Sequence, residues 1–284
     1  MQSPLLTVNE SGSVIKLEEL LSSNTVILDC RFSLADPSLG EKQYRQGHIP
    51  GAYYFSLNRH LSSPVAEHGG RHPLPAAEQF AHDLRATGIT PNSTVLVYDD
   101  SKFGFAARAW WLLRYFGHKD VKILNGGFSA WLSASLPIDS HEPLVQQGSF
   151  EPLKHSHWTV DIQQVKNIAA GLDKSSVLID SREEKRFQGL EEPIDPKAGH
   201  IPGALNFPWQ QVSDERDQAL SRLAHIQRWE DLPSDKEVVV YCGSGVTACV
   251  NLLSLAIAGR EAKLYPGSWS DWCSYDTLPV ETSL

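Results

Sequence analysis

Cysteine is scarce in this chain of 284 residues, and basic clusters and long apolar runs are missing. Four cysteines without a Cys-x-x-Cys pair exclude a disulfide scaffold and give no support to a structural zinc site. A net charge of -9 without basic runs argues against nucleic-acid binding and against an anionic membrane surface. The longest apolar run, at 250–259, is shorter than the roughly 18 residues of a membrane span. No secretory signal pattern opens the chain, so we expect a cytoplasmic protein.

Several motifs occur twice, which predicts a duplicated domain. The copies are VILDCR at 26–31 and VLIDSR at 177–182, GHIPGA at 47–52 and 199–204, and VLVYD at 95–99 and VVVYC at 238–242. Their spacing changes little along the chain. We therefore predict one domain at 1–140 and a second at 157–284, joined by a proline-containing polar linker at 141–156.

Each half alternates β-branched apolar runs with helical patterns. This alternation predicts an α/β fold in which each domain has a mainly parallel sheet flanked by helices. Ligands of such sheets bind beyond the carboxyl ends of the strands. The residues that follow the strand pattern VVVY are therefore the candidate site.

A cysteine-containing loop stands at that position, between a predicted strand and a predicted helix. It consists of Cys242, Gly243, Ser244, Gly245, Val246 and Thr247. Two glycines let backbone N–H groups turn inward, and the helix start adds positive potential. This environment favours the thiolate and would stabilise a persulfide on its sulfur. The alternative is a buried, unreactive cysteine.

The first half has Asp99 at the equivalent position, without the paired glycines. The difference predicts a non-catalytic first domain and a catalytic second one. A cysteine-dependent phosphatase would need Cys-x5-Arg, but Ala248 occupies the arginine position. The local signatures of thiol hydrolases are also missing.

The sequence CGSGVTA, in the second of two halves that each carry GHIPGA, resembles the tandem-domain sulfurtransferases of the rhodanese superfamily. The resemblance covers essentially the whole chain, and the loop is similar to the 3-mercaptopyruvate branch. It implies two rhodanese-like domains and a ping-pong cycle. In that cycle Cys242 takes a sulfane sulfur as a persulfide and passes it to a thiol or to cyanide, or to a protein acceptor. No metal or organic cofactor is implied, because the protein itself carries the sulfur.

The same resemblance assigns further residues. Arg186 would bind the donor carboxylate, and His72, in the segment RHPLP, would act with Ser244 in a proton relay. From composition alone, Arg186 is interpreted as a solvated charge. The alternative for His72 is an inert loop histidine, with His68 as the substitute candidate. The family's second arginine and its relay aspartate fall at Ile194 and Asn58 in this chain.

These departures keep thiosulfate open as an alternative donor, and a persulfide carrier that serves one protein partner is a third hypothesis. The repeated Arg182 and the repeated GHIPGA are interpreted as structural, because both halves carry them. Cys30 and Cys249 are predicted to be buried, and Cys273 follows Trp272 near the C-terminus. The sequence leaves open whether any of the three is an oxidation partner of Cys242.

Overall fold

The computed structural model describes residues 3–7 and 24–283, and its contacts divide the chain into two compact units. Unit 1 contains the chain up to Ser62, Pro75–His155 and Ser213–Ala219; unit 2 contains Ser63–Leu74, Ser156–Val212 and Leu220–Leu284. Each unit therefore includes one short segment from the other half of the sequence. The segment 63–74, which contains the predicted site residue His72, belongs to unit 2.

Unit 1 is a parallel sheet with flanking helices. Its strands are β1 (Leu5–Leu6), β2 (Thr25–Asp29), β3 (Ala52–Tyr54), β4 (Thr94–Tyr98) and β5 (Val121–Leu124). Its helices are α1 (Leu39–Gln46), α2 (Ala77–Arg85), α3 (Ala106–Tyr115) and α4 (Gly127–Ser133). The strand order is β1-β5-β4-β2-β3, with every pair parallel. β2 and β4 are buried in the middle, as their β-branched sequences predict.

Unit 2 repeats this plan. Its strands are β6 (Ser176–Asp180), β7 (Leu205–Asn206), β8 (Glu237–Tyr241) and β9 (Lys263–Leu264), in the order β7-β6-β8-β9. Its helices are α5 (Ile162–Ala169), α6 (Glu184–Gln188), α7 (Arg222–Arg228), α8 (Ala248–Ala258) and α9 (Ser268–Trp272), with 3-10 turns at Ser156–Trp158 and Trp209–Val212. All strand pairs are parallel, so the predicted α/β class is confirmed for both units.

A buried ion pair occupies the same place in each unit, at the end of β2 in unit 1 and at the end of β6 in unit 2. Nη2 of Arg31 lies 2.6 Å from Asp29, and Nη2 of Arg182 lies 2.6 Å from Asp180. The same nitrogen also donates, over 2.7 Å, to the carbonyl of the first glycine of GHIPGA in each unit. Buried charges are tolerated when they are paired and hydrogen-bonded in this way. The structural interpretation of Arg182 is confirmed, and the pair connects the strand end to the repeated motif.

The histidines of the two GHIPGA motifs are also buried and bonded within their own units. Nδ1 of His48 lies 2.7 Å from the Tyr44 carbonyl, and Nδ1 of His200 lies 2.6 Å from the Phe187 carbonyl. The motif therefore fixes the chain between a helix and the next strand. Within the described part of the chain, no helix has the length and apolar character needed to cross a membrane.

Candidate active site

Cys242 is the first residue after β8, and only 2% of its surface is exposed. The backbone N–H of Gly245 donates to its Sγ over 3.2 Å, so the loop curls around the sulfur as its glycines predict. Gly245 has a φ of 75°, and a Cβ at this residue would lie 2.4 Å from the carbonyl oxygen of Pro266. The N–H that contacts the sulfur therefore depends on a position that only glycine fits.

The start of α9 holds the loop from the opposite side. The N–H groups of Trp269 and Ser270 donate to the carbonyls of Cys242 and Gly243 over 3.0 and 2.9 Å. The Cys242 N–H in turn donates to the Ser268 hydroxyl over 3.1 Å. With its backbone bonded at these points, the loop presents the sulfur in one fixed orientation.

Val246 and Thr247 lead from the loop into α8. Their carbonyls accept hydrogen bonds of 3.0 Å from the N–H groups of Cys249 and Val250. The two residues thus form the first turn of the helix, and the sulfur lies before a helix N-terminus. The positive end of the helix dipole favours negative charge at such a place.

The equivalent loop of unit 1 binds an anion supplied by its own chain. Asp99 follows β4 and is buried, and its carboxylate accepts from the N–H groups of Ser101, Phe105 and Ala106 over 3.1, 2.8 and 2.9 Å. Three inward-pointing N–H groups are a general anion cradle. The strand–loop–helix geometry shared by both units is therefore suited to holding a negative charge.

His72 lies next to the cysteine loop. Its Nδ1 is 2.8 Å from Oγ of Ser244, and Ser244 is 7% exposed. The alternative candidate, His68, is directed elsewhere, with its Nδ1 2.7 Å from Oγ of Ser274. The structure thus brings together His72 and Ser244, which the sequence analysis placed in one relay.

The segment 63–74 is fastened to α9, and this attachment positions His72. The N–H of Gly69 donates to Oδ1 of Asp271 over 2.8 Å, and the N–H of Arg71 donates to Oγ of Ser270 over 3.1 Å. The second carboxylate oxygen of Asp271 accepts from the Tyr265 hydroxyl over 2.6 Å. Asp271 could not be identified from the sequence, because nothing in the local pattern indicates that it binds Gly69, 202 residues away.

Arg186 takes part in a buried cluster and is not a solvated charge. Its Nε and Nη2 donate to Glu192 over 3.2 and 2.6 Å, and Nη2 also reaches Asp195 over 3.2 Å. Asp195 binds Arg71 through its other oxygen. Ile194, at the position of the family's second arginine, is half exposed and contributes only its backbone N–H, which donates to Glu192.

The two carboxylates of this cluster titrate differently. Burial raises the pKa of Asp195, and the opposing attraction of Arg71 does not cancel that effect. Burial acts in the same direction on Glu192, but the hydrogen bonds from Arg186 and from the backbone hold the pKa of Glu192 below its ordinary value. Arg71 and Asp195 were not singled out from the sequence. The one local signal for Arg71 is that it directly precedes His72.

The other three cysteines are buried and unpaired by disulfides. Burial, with Asp29 nearby, raises the pKa of Cys30 well above its usual value, and burial raises that of Cys273 to about 12. Both thiols are therefore protonated near neutral pH and are poor nucleophiles. Sγ of Cys249 donates to the Gly245 carbonyl over 3.5 Å. Across residues 3–7 and 24–283, acidic, histidine and cysteine side chains form no group suited to a metal ion.

Comparison with known proteins agrees with this geometry. The family model for the rhodanese-like domain matches residues 13–134 and 164–275. A Pseudomonas aeruginosa protein, named a probable 3-mercaptopyruvate sulfurtransferase, is 42% identical over 98% of both chains. A Mycobacterium tuberculosis protein, provisionally named a thiosulfate sulfurtransferase, is 39% identical over 97% of this chain and 96% of its own.

The crystal structure of SseA from Escherichia coli, described as a 3-mercaptopyruvate sulfotransferase, superposes with a TM-score of 0.79 at 30% identity. The match covers 95% of this chain and 100% of that one. Both rhodanese matches coincide with a parallel sheet and its helices, and the relatives extend over nearly the full length. The chain therefore belongs to the rhodanese family, and it is a sulfurtransferase built from two rhodanese-like domains.

Proposed function

We propose that this sulfurtransferase takes its sulfur from 3-mercaptopyruvate, carries it as a persulfide on Cys242 and delivers it to a thiol or to cyanide. Unit 2 is the catalytic domain in this proposal, and Asp99 marks unit 1 as non-catalytic. The observation that carries the choice of donor is the hydrogen bond of 2.8 Å between His72 and Ser244 beside the Cys242 loop. Cytoplasmic location, and the absence of nucleic-acid and membrane partners, remain predictions from the sequence.

The first half-reaction explains why this hydrogen bond matters. The Cys242 thiolate attacks the thiol sulfur of the donor, a sulfur–sulfur bond forms and the carbon–sulfur bond breaks. The electron pair of the broken bond stays on the organic product as the enolate of pyruvate, which must gain a proton. The hydroxyl of Ser244, bonded to a histidine, is a suitable proton donor. Arg186 binds the donor carboxylate through a charge-assisted hydrogen bond.

The second half-reaction restores the enzyme. An acceptor thiolate attacks the outer sulfur of the Cys242 persulfide, takes it as a new persulfide and returns an electron pair to Cys242. With cyanide the product is thiocyanate. The inward N–H of Gly245 and the start of α8 stabilise the negative sulfur before and after transfer.

Thiosulfate is the second candidate donor. Its leaving group, sulfite, is a stable anion that needs no proton, so His72 and Ser244 would be idle. Guanidinium groups of Arg71 and Arg186 lie beside Gly243, and this pair suits the dianion of thiosulfate as well as a carboxylate. A relative named for this donor is also 39% identical.

Steady-state assays with both donors and one thiol acceptor test the proposal. We expect a large kcat/KM advantage for 3-mercaptopyruvate. Higher kcat/KM with thiosulfate would overturn the choice of donor, and a single loading without turnover would indicate a carrier that serves a protein partner.

The role of Cys242 is tested separately. We expect Cys242→Ser to abolish transfer while the far-UV circular dichroism stays unchanged, because the hydroxyl cannot carry the sulfur. Mass spectrometry of the wild-type protein after donor treatment is expected to show one added sulfur atom on the peptide of Cys242. Cys30→Ala, at a buried thiol of unit 1, is the matched control and keeps the activity. Turnover in Cys242→Ser would contradict the mechanism.

A further inference from the structure

Two guanidinium groups from distant parts of the chain approach one point above the cysteine loop. A Cβ on Gly243 would lie 3.2 Å from Nη2 of Arg71, and 3.7 Å from both Nη1 and Nη2 of Arg186. Arg71 comes from the segment 63–74, and Arg186 from α6. A side chain at residue 243 would enter the space between them, so the glycine leaves this space open directly beside Cys242.

One buried carboxylate holds both arginines. Oδ1 of Asp195 pairs with Nη1 of Arg71, and Oδ2 accepts from Nη2 of Arg186 over 3.2 Å. The side chain of Asp195 is 2% exposed, so its two oxygens are committed to this bridge. Glu192, 3% exposed, fixes Nε and Nη2 of Arg186 as well. Asp195 therefore fixes one side of the Arg71 guanidinium, and Asp195 and Glu192 together fix one side of the Arg186 guanidinium. The orientation of the remaining nitrogens follows from these contacts.

Each guanidinium has one terminal nitrogen that these carboxylates do not bind, and both of these nitrogens lie beside Gly243. Nη2 of Arg71 and Nη1 of Arg186 have no hydrogen-bond partner within residues 3–7 and 24–283. Arg71 is 31% exposed and Arg186 is 13% exposed, so a small solute can reach both. Two fixed N–H donors that converge on one space match the two oxygens of a carboxylate.

We propose that Arg71 and Arg186 together form the subsite for the anionic head group of the sulfur donor, and that Asp195 is the residue that positions them. This inference rests on the proposed function for the identity of the donor, whose carboxylate would lie over Gly243. Arg71 thus supplies, from a different segment, the second guanidinium that position 194 lacks. Asp195 acts only through the two arginines.

Steady-state kinetics of Arg71→Ala with 3-mercaptopyruvate test the subsite. We expect KM to rise about ten- to a hundredfold, since a charge-assisted hydrogen bond is lost, while kcat changes much less. Added guanidinium ion is expected to restore part of the affinity. Arg71→Lys keeps the charge without the planar group and should stay impaired. Arg45→Ala, at an exposed arginine of unit 1, is the matched control with wild-type kinetics.

Asp195→Asn tests the positioning role, because it preserves size and removes the charge that orients both guanidiniums. We expect a higher KM with kcat nearly unchanged. An unchanged KM in Arg71→Ala would overturn the proposal. So would a lower kcat in that variant that is explained by its lower melting temperature and is not restored by added guanidinium ion.

Calorimetric titration with pyruvate separates this inference from the proposed function. Pyruvate has the carboxylate and lacks the sulfur, so its binding needs no transfer. We expect wild-type protein to bind pyruvate and Arg71→Ala to bind it at least about tenfold more weakly. If 3-mercaptopyruvate is not turned over but pyruvate binding depends on Arg71, the donor assignment fails and the subsite stands. Equal binding by both proteins, or none by the wild type, would refute the subsite.

Discussion

The two glycines of the cysteine loop serve different purposes. Gly245 adopts a φ of 75° with its Cα facing a backbone carbonyl, whereas Gly243 faces the ends of two arginine side chains. The Pro266 carbonyl belongs to the backbone between β9 and α9 and cannot move aside, but the guanidinium at the end of an arginine side chain can shift by a few tenths of an ångström. Gly245 is therefore required by the backbone conformation, and Gly243 by the space that a ligand needs.

Alanine substitutions distinguish these purposes. We expect Gly245→Ala to lower the free energy of unfolding by about 1–3 kcal/mol and to reduce kcat, because the residue is strained and its N–H leaves the sulfur. Gly243→Ala is expected to keep the stability and to raise the donor KM. Urea unfolding and steady-state kinetics on both variants measure these effects. Equal loss of stability in the two variants would contradict this assignment.

At the scale of secondary-structure elements, the site depends on α9 as much as on β8 and α8. The first residues of α9 fix the loop carbonyls, and Asp271 binds the segment that carries Arg71 and His72. A helix of only five residues thus aligns two separate pieces of chain. Its own stability comes from buried tryptophans, Trp269 and Trp272, which pack into the core of unit 2.

Removing the carboxylate of Asp271 tests this alignment. In Asp271→Ala the N–H of Gly69 and the hydroxyl of Tyr265 lose their acceptor, so we expect faster amide hydrogen exchange at residues 69–72 and a raised donor KM. The exposed neighbour Asp276→Ala is the control and leaves both unchanged. Protection of residues 69–72 as in the wild type would show that other contacts hold the segment.

The strands, the helix after VVVY and the position of Cys242 could be predicted from the sequence, because each depends on residues that are close in the chain. His72 and Arg186 were identified by resemblance to a family, and the structure brings both to the loop. The bridge between Arg71 and Asp195 joins residues 124 positions apart, and no local pattern carries that information. Only the folded chain brings these two residues together.

At the scale of the whole molecule, the two units share one strand–loop–helix geometry, but the loop of unit 1 binds a carboxylate of its own chain and the loop of unit 2 binds a cysteine sulfur. In unit 1 the Asp99 carboxylate accepts from the N–H groups of Ser101, Phe105 and Ala106, whereas in unit 2 the N–H of Gly245 donates to Sγ of Cys242. The Asp99 carboxylate therefore occupies in unit 1 the position that Sγ of Cys242 occupies in unit 2.

Asp99→Ala is expected to destabilise the protein without a direct effect on chemistry. Three N–H groups, two of them buried, lose their acceptor, which we expect to cost about 2–4 kcal/mol in the free energy of unfolding. The kcat and KM of the folded fraction, measured well below the melting temperature, should match the wild type. Asp100→Ala, at the exposed neighbour, is the control. Loss of turnover in fully folded Asp99→Ala would mean that unit 1 has a role in the reaction.

The placement of 63–74 in unit 2 also has a consequence for inheritance. The codons for Arg71 and His72 lie in the first half of the gene, while the cysteine that they approach is encoded in the second. A recombination that exchanged first halves between two relatives would therefore replace two residues beside the Cys242 loop and leave the loop itself unchanged. Such a recombinant would combine the cysteine loop of one parent with the arginine and histidine of the other.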